Sequence, residues 1–290
     1  MTKERKNLSL LPLTSDFVFK AVYGQNTPQS NAALRALLNL LLDRKEDPIE
    51  WVHCENPFVL SDHITGKESI MDIKLRLSSG QMIDLEMQVS NLDNYINRSI
   101  FYMGKLIVSS LSKGENYDKM KPTIVISIID GILLPVIEDP HSQFTLSERR
   151  VKMELSDLTQ IHFLELAKID LNKPVCEMSS YERIGAYFKC ASDESKQSLI
   201  AELTQYEPEV ITLTKPIFEE VSYDERMRDL EEAHDKYVRT LKTVQSESED
   251  RIAKLTLKLI EDNRLEDLKR ASIDKDFREE LLKEYHLRRI

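Results

Sequence analysis

Residues 71–89 read MDIKLRLSSGQMIDLEMQV, and this stretch decides the fold of the chain. Apolar and polar residues alternate up to Leu77 and alternate again from Ile83 onward. Such alternation is typical of β-strands with one apolar and one polar face. Between the two strands lie two serines and Gly80, residue types that favour tight turns. The sequence therefore predicts an antiparallel β-hairpin.

The register of this hairpin follows from its turn and its apolar pattern. A turn centred on Ser79 places Asp72 opposite Glu86. A two-residue turn would place Asp72 opposite Met87 and put the apolar faces out of phase, since a slip of one residue moves every side chain to the other face. The apolar pattern favours the first register, which brings Asp72, Glu86 and Gln88 onto one face.

Two interpretations fit this polar face. Directly opposed residues have Cβ atoms about 5 Å apart, so the carboxylates of Asp72 and Glu86 would repel each other unless a cation lies between them. A hard divalent ion such as Mg²⁺ would supply that charge, since it is commonly bound through one or two carboxylates and keeps several waters. A hairpin whose charged residues face water is also ordinary in a half-exposed sheet. The pattern alone leaves both interpretations open.

The hairpin also carries the core motif of a known nuclease fold. In PD-(D/E)XK nucleases an Asp on one strand is followed, after a short turn, by Glu-x-Lys on the next; here the motif stands as Asp72 and Glu86-Met87-Gln88. In its setting, DIKLRLSSGQMIDLEMQ, it resembles the Rpn family of recombination-promoting nucleases, also labelled transposases. Further segments match in order and spacing: SDFVFKAVYG (15–24), NRSIFYMGKL (97–106) and KGENYDKMKPTIVISIID (113–130). The resemblance covers about residues 10–240.

This resemblance implies an α/β fold, with a restriction-endonuclease-like core whose central mixed sheet is flanked by helices. It implies a metal-dependent DNA endonuclease that hydrolyses phosphodiester bonds in recombination or in mobile DNA. Asp72 and Glu86 would then bind Mg²⁺ or Mn²⁺, and the carbonyl of Met87 would complete the shell. Gln88 stands where the parent pattern has a Lys; its amide can orient a water but brings no positive charge. Lys74, on the same face as Asp72, is a candidate for the missing charge.

A first helix is predicted over residues 16–23, with Gly24 at its end. In many nucleases of this fold an acid on the first helix approaches the metal, so the resemblance makes Asp16 a candidate additional acid. Asp16 and Lys20 are also one turn apart, which fits a simple surface ion pair. Both interpretations of Asp16 remain open.

A second helix that follows the hairpin is predicted over residues 92–112. Its predicted buried stripe, at helical spacing, consists of Ile96, Ile100, Met103, Ile107 and Leu111. Arg98, Tyr102 and Lys105 form a separate polar stripe. Because the resemblance includes this segment, these three are candidate contacts for a DNA backbone, as is Lys67 ahead of the hairpin. A solvated helix edge is the alternative.

The composition narrows the class of protein. Hydrophobic residues make up 41% and charged residues 31% of the 290 residues, with only seven glycines, which argues against a loop-rich or all-β chain. The apolar runs are too short to cross a bilayer and no signal peptide is apparent, so we expect a cytoplasmic protein without a membrane partner. Three widely spaced cysteines predict neither a zinc site nor a disulfide framework. The net charge of −10 weighs against strong binding of DNA unless a local basic groove or a metal ion assists.

The chain is predicted to have two parts. Residues 1–221 would form the nuclease-like domain, with TIVISII (123–129) as its central buried strand and further strands at 143–155 and 161–169. Residues 222–290 would form an α-helical C-terminal extension. The spacing of its apolar residues fits a helix that packs on the core or pairs with a second copy.

The expected partners are therefore DNA and, through the C-terminal helices, a second copy of the chain in a homodimer. Two other functions remain open. The chain could be a catalytically weak or inactive relative that binds nucleic acid or protein, or it could be chiefly an oligomerising scaffold.

Overall fold

The computed structural model describes residues 9–56, 72–89, 92–262 and 264–287. By its internal contacts the chain divides into two units, Met1–Asp229 and Leu230–Ile290. The strands are β1 (Val52–Cys54), β2 (Asp72–Leu77), β3 (Met82–Gln88), β4 (Thr123–Ile129), β5 (His141–Ser147) and β6 (Glu154–Glu165). The helices are α1 (Asp16–Tyr23), α2 (Pro28–Leu41), α3 (Tyr95–Ser109), α4 (Ser180–Cys190), α5 (Gln197–Tyr206), α6 (Pro208–Tyr223), α7 (Glu225–Glu261), α8 (Leu265–Ile273) and α9 (Lys275–Glu284).

These strands form one mixed sheet in the order β1-β2-β3-β4-β6-β5. The pairs β1–β2, β2–β3 and β5–β6 are antiparallel, whereas β3, β4 and β6 run parallel to one another. α3 packs against β4 and β6 on one face, and α1 packs against β2 and β3. The predicted α/β architecture, a mixed sheet flanked by helices and followed by C-terminal helices, is confirmed.

The β2–β3 hairpin has the predicted register, with Asp72 opposite Glu86 and Lys74 opposite Asp84. Its turn is closed by hydrogen bonds of 2.9 Å from Leu77 N to the Gln81 carbonyl and from Gly80 N to the Leu77 carbonyl. Gly80 has φ +83°, a left-handed conformation that glycine adopts without steric cost. The turn therefore keeps the polar residues of the two strands in phase on one face.

The polar face of β3 is buried rather than solvated, unlike the face expected of a half-exposed hairpin. Asp84 and Glu86 are only 3% and 5% exposed. The cause lies in the sheet order, because β3 is an interior strand with β2 on one side and β4 on the other, and α3 covers this face. β4 is buried along its whole length, as predicted for a central strand.

Several element boundaries differ from those expected. α2 begins at Pro28, because the side chain of Thr27 caps it by accepting a hydrogen bond from Ser30 N. The single strand expected at 143–155 is instead two strands. Within the connection between β5 and β6, the Glu148 carboxylate accepts hydrogen bonds from Arg150 N and Val151 N, and Lys152 adopts φ +59°. β6 ends at Glu165, and a short 3₁₀ turn, Leu166–Lys168, follows.

The first helix has the predicted bounds but a different environment. All eight residues of α1 are buried, including Asp16 and Lys20 at 8% and 5% exposure. The interpretation of these two residues as a surface pair is therefore wrong. α1 packs on the face of the sheet that carries Ile73. The Ile73 side chain would lie 3.5 Å from a Cβ atom at Gly24, the residue that directly follows α1. Glu86 belongs to the opposite face of the sheet.

The second unit has a small apolar cluster of its own. Its buried members are Leu255, Leu259, Ala271, Leu281 and Leu282. Asp274 caps α9 by accepting a hydrogen bond from Phe277 N. The unit is helical, as expected of the C-terminal extension; the functional boundary expected at residue 221 stays a prediction.

None of the helices in the described ranges carries an apolar stretch long enough to cross a bilayer. The three cysteines are unpaired, with Cys54 and Cys190 buried and Cys176 exposed.

A histidine pair joins β5 to β6, with His162 buried and His141 half-buried. His141 Nε2 lies 3.2 Å from His162 Nδ1, and His162 Nε2 lies 3.3 Å from Gln160 Oε1. Because Gln160 presents an oxygen, His162 donates through Nε2, and in the neutral imidazole its Nδ1 then accepts from His141. Burial, and then the charge of His141, lower the pKa of His162 to about 4.

We predict that protonation of His162 contributes to acid unfolding. Unfolded histidine binds a proton below about pH 6.5, whereas folded His162 does so only below about pH 4. The unfolded state therefore binds more protons in this window, so that up to about 3 kcal/mol of stability is lost as the pH falls from 6.5 to 4. Urea unfolding of His162→Gln across this range should show a shallower pH dependence than the wild type, and His53→Gln, at an exposed position, should not. An equal slope in wild type and His162→Gln would contradict this prediction.

Candidate active site

Glu86 is the centre of the candidate site. Its strand position turns it toward α3, where Tyr95 Oη donates a 2.7 Å hydrogen bond to Oε2 and Arg98 Nη2 donates a 3.1 Å hydrogen bond to Oε1. The Arg98 contact is also an ion pair. A carboxylate at 5% exposure needs such partners, because its desolvation is costly unless charge and hydrogen bonds replace the lost water.

Arg98 links Glu86 to Gln88. The same Nη2 also donates a hydrogen bond to Gln88 Oε1. Since a guanidinium has only donors, Gln88 must turn its oxygen toward Arg98 and its NH₂ group elsewhere. Arg98 also lies over the Tyr95 ring, 4.4 Å from its centroid, a cation–π contact that holds the guanidinium in place.

Tyr95 acts as a fixed hydrogen-bond donor. It is 1% exposed, and burial together with the negative charge of Glu86 raises its pKa far above the usual range. The hydroxyl therefore stays protonated and continues to donate to Glu86. Tyr95 and Arg98 are three residues apart at the start of α3, so they lie on one face of that helix.

The oxygen atoms on this face of the sheet are suitable ligands for a hard divalent ion. The side chains of Asp84 and Glu86, and the amide of Gln88, supply oxygen atoms, and the ladder places Asp72 opposite Glu86. Among the side chains that the structure describes, no three His, Cys, Asp or Glu residues form a ligand cluster. Mg²⁺ does not need such a cage, since it is usually held by one or two carboxylates and water.

The other predicted site residues are distributed around this centre. Lys74 is exposed, on the same face and directly opposite Asp84. The side chain of Met87 is buried in the opposite face, so that only its carbonyl could reach an ion. Lys67 lies outside the described residues. Of Asp72, the structure describes the backbone position.

Asp16 lies on α1, which packs against β2 and β3, and it is 8% exposed. Its assignment as an additional acid stays a prediction.

The orientation of α3 differs from the one expected. The stripe expected to be buried includes Ile96 and Ile100, which are 41% and 56% exposed, whereas the buried residues are Tyr95, Ser99, Met103 and Leu106. The physical reason is that this helix covers polar groups of β3 and β4, and those groups require Tyr95 and Arg98 to face inward. An apolar pattern does not report this requirement.

The polar stripe on α3 is therefore divided in function. Arg98 points inward to Glu86 and Gln88, Tyr102 is half-buried, and Lys105 is exposed, with its Nζ 4.8 Å from the Phe101 ring centroid. Sequence reasoning missed Tyr95. The available signal was its spacing of three from Arg98 just after the hairpin, which puts both residues on one helix face.

The fold and motif together define a nuclease-like core of the PD-(D/E)XK class. The sequence profile of the PD-(D/E)XK nuclease family transposases matches residues 13–248. The chain belongs to this family, which supports a nuclease role connected with mobile DNA and implies DNA as the substrate. Comparison with curated proteins gave no match, and comparison with solved structures gave none either.

We predict that Tyr95→Phe destabilises the first unit by about 2 kcal/mol, because it removes a hydrogen bond to a buried charged group. Urea unfolding followed by the fluorescence of Trp51, the only tryptophan, would measure the change. Tyr187→Phe is the matched control, since the buried Tyr187 hydroxyl has no hydrogen-bond partner among the described residues. Equal effects of the two substitutions would contradict the role given to Tyr95.

Proposed function

We propose that the protein is an endonuclease that hydrolyses phosphodiester bonds of DNA with a divalent ion, Mg²⁺ or Mn²⁺, held by Asp72 and Glu86. The single observation that carries the proposal is the buried Glu86 carboxylate, paired across the ladder with Asp72 and held by Tyr95 and Arg98. Interior sheet positions seldom carry carboxylates, because burying a charge is unfavourable without a compensating purpose or partner.

The residues of the site have separate roles in this proposal. A bound divalent ion lowers the pKa of its water and stabilises charge on the scissile phosphate. Glu86 and Asp72 supply oxygen ligands, with the Met87 carbonyl as a further one. Tyr95 fixes the orientation of Glu86, and Gln88 orients water by hydrogen bonding but is not a base. Lys74, exposed and opposite Asp84, is proposed to supply the positive charge that Gln88 lacks.

The DNA backbone is proposed to contact the exposed side of α3. Lys105 and the half-buried Tyr102 lie two and one helical turns beyond Arg98, and Lys67 is proposed as a further contact. A net charge of −10 limits non-specific attraction to DNA, because that attraction depends on neutralising phosphates with Lys and Arg. The divalent ion therefore carries part of the binding in this proposal, and Asp16 remains a proposed additional acid.

The biological setting proposed for this activity is recombination or the transfer of mobile DNA in the cytoplasm. We also propose that residues 1–221 carry the nuclease and that residues 222–290 form a separate extension through which two copies pair as a homodimer. The 37-residue helix α7 offers the length for such pairing. A catalytically weak relative that only binds nucleic acid or protein is the alternative, and the test below separates it from the nuclease.

We predict that the wild type nicks supercoiled plasmid only when Mg²⁺ or Mn²⁺ is present. Asp72→Asn and Glu86→Gln should each reduce the rate at least about 100-fold, because they remove the negative charge that binds the ion. Conversion of supercoiled to open-circular plasmid on agarose gels measures this rate.

The control for this assay is Glu232→Gln, which removes an exposed acid of α7 and should leave nicking unchanged. Cleavage that persists in both site variants would mean that the site is misplaced. A wild type that binds DNA but cuts nothing with either ion would favour the binding module.

We predict that Lys105→Ala weakens DNA binding and lowers the slope of log affinity against log salt by about 1, the effect of losing one phosphate contact. Fluorescence anisotropy with labelled duplex in EDTA, where no cleavage occurs, measures both. Lys119→Ala is the matched control, because Lys119 is an exposed lysine of the 3₁₀ turn Tyr117–Lys119 and does not belong to α3. An equal loss in the two variants would contradict a specific contact through α3.

A further inference from the structure

Arg98 contacts both polar residues of the Glu-x-Gln motif through one nitrogen. Its Nη2 donates to Glu86 Oε1 at 3.1 Å and to Gln88 Oε1. The remaining Glu86 oxygen, Oε2, accepts from Tyr95. Both oxygens of the proposed metal ligand are therefore already engaged by groups of α3.

We propose that Arg98 is a positioning residue that competes with the divalent ion for Glu86. It holds Glu86 and Gln88 in place, and ion binding moves the guanidinium away from Oε1. This inference rests on the proposed function in one respect, that Glu86 is a ligand of the ion.

The competition follows from charge. A guanidinium and a divalent ion that share one carboxylate oxygen lie a few ångströms apart, and two cations at that distance repel strongly where the surrounding dielectric is low. Glu86 is 5% exposed, so water screens this repulsion poorly. The ion can therefore bind Oε1 fully only when Arg98 has withdrawn.

Arg98 has room to withdraw, whereas Tyr95 does not. The Arg98 side chain is 33% exposed, and Tyr95 is 1% exposed. Tyr95 therefore keeps its hydrogen bond to Oε2 while Arg98 moves toward solvent. Glu86 therefore stays oriented while the ion replaces Arg98 at Oε1, so Tyr95 and Arg98 have different tasks.

The exchange also acts on Gln88. While Arg98 is in place, the Gln88 oxygen accepts from it. When Arg98 withdraws, this oxygen can accept a hydrogen bond from a water instead. Ion binding and the orientation of water by Gln88 would thus be coupled through one arginine.

The experiment that tests this inference is Mn²⁺ binding to the full chain without DNA, measured by calorimetry and by the electron paramagnetic resonance of free Mn²⁺. Arg98→Gln keeps a hydrogen-bond donor next to Glu86 but removes the charge. It should bind Mn²⁺ about fivefold more tightly than the wild type, the factor expected for loss of a competing, partly exposed ion pair. Arg98→Lys, which keeps the charge, should stay within about twofold of the wild type.

Two controls isolate the contact from general electrostatics. Lys105→Gln removes one charge from the exposed side of the same helix and should change Mn²⁺ affinity less than Arg98→Gln does. Glu86→Gln should abolish the high-affinity binding in either background. Circular dichroism melting confirms that each variant is folded.

A second measurement needs no variant at position 98. The Arg98 Nε–H is buried and has no hydrogen-bond partner among the described residues, so the chemical shift of its nuclear magnetic resonance signal reports movement of the guanidinium toward solvent. Titration of the wild type with Mg²⁺ should shift this signal with the same midpoint as calorimetric binding.

The outcomes are distinct. Unchanged or weaker Mn²⁺ binding in folded Arg98→Gln, with binding still abolished by Glu86→Gln, would overturn the inference and leave the proposed function standing. An Arg98 signal that does not respond to saturating Mg²⁺ would overturn it as well. Absence of binding in the wild type and in both Arg98 variants would overturn the metal dependence of the proposed function, and this inference with it.

Discussion

The arrangement around Glu86 depends on one constraint: a carboxylate in the interior of a sheet must find partners that replace water. Glu86 and Asp84 stand on the same face of β3 at 5% and 3% exposure. An unpaired charge at such a position would shift its pKa or unfold its surroundings. Tyr95 and Arg98 supply the required donors, and both come from the first turns of α3. The position of that helix over β3 is therefore fixed by polar contacts as much as by apolar packing.

This constraint has a cost elsewhere on α3. To turn Tyr95, Arg98 and Ser99 toward the sheet, the helix leaves Ile100 and Phe101 at 56% and 59% exposure. A helix selected for apolar burial alone would present those residues inward. Further along, Met103 and Leu106 pack on Met82 and Val125. α3 is thus anchored by an apolar contact in its second half and by a polar one at its start.

The hairpin could be predicted in full because its alternation and its turn specify a single register, and the β-branched run of β4 specified a buried strand. Burial of the polar face could not be predicted, since it depends on which strands become neighbours of β3, a long-range property of the sheet. The same limit applies to α1. The local sequence specifies where the helix begins and ends, but the burial of Asp16 and Lys20 depends on how α1 packs against the sheet. The role of Tyr95 was missed because an aromatic residue at a helix start has no distinctive pattern until its target, Glu86, is known.

The position of Arg98 offers a physical explanation for the Gln that stands at residue 88, where the parent motif has Lys. A lysine at residue 88 would place a charge directly on the strand, where it stays beside the ligands whatever else binds. Here the nearby charge comes from a helix, through a side chain that is 33% exposed and whose Nη2 contacts Glu86 Oε1 and Gln88 Oε1 together. A charge on such a side chain can leave the site as well as occupy it. Under the proposed exchange, a cation that stabilises the carboxylates and yields to a divalent ion would meet two requirements that a fixed lysine cannot: a folded site before the ion binds, and an uncontested ligand afterwards.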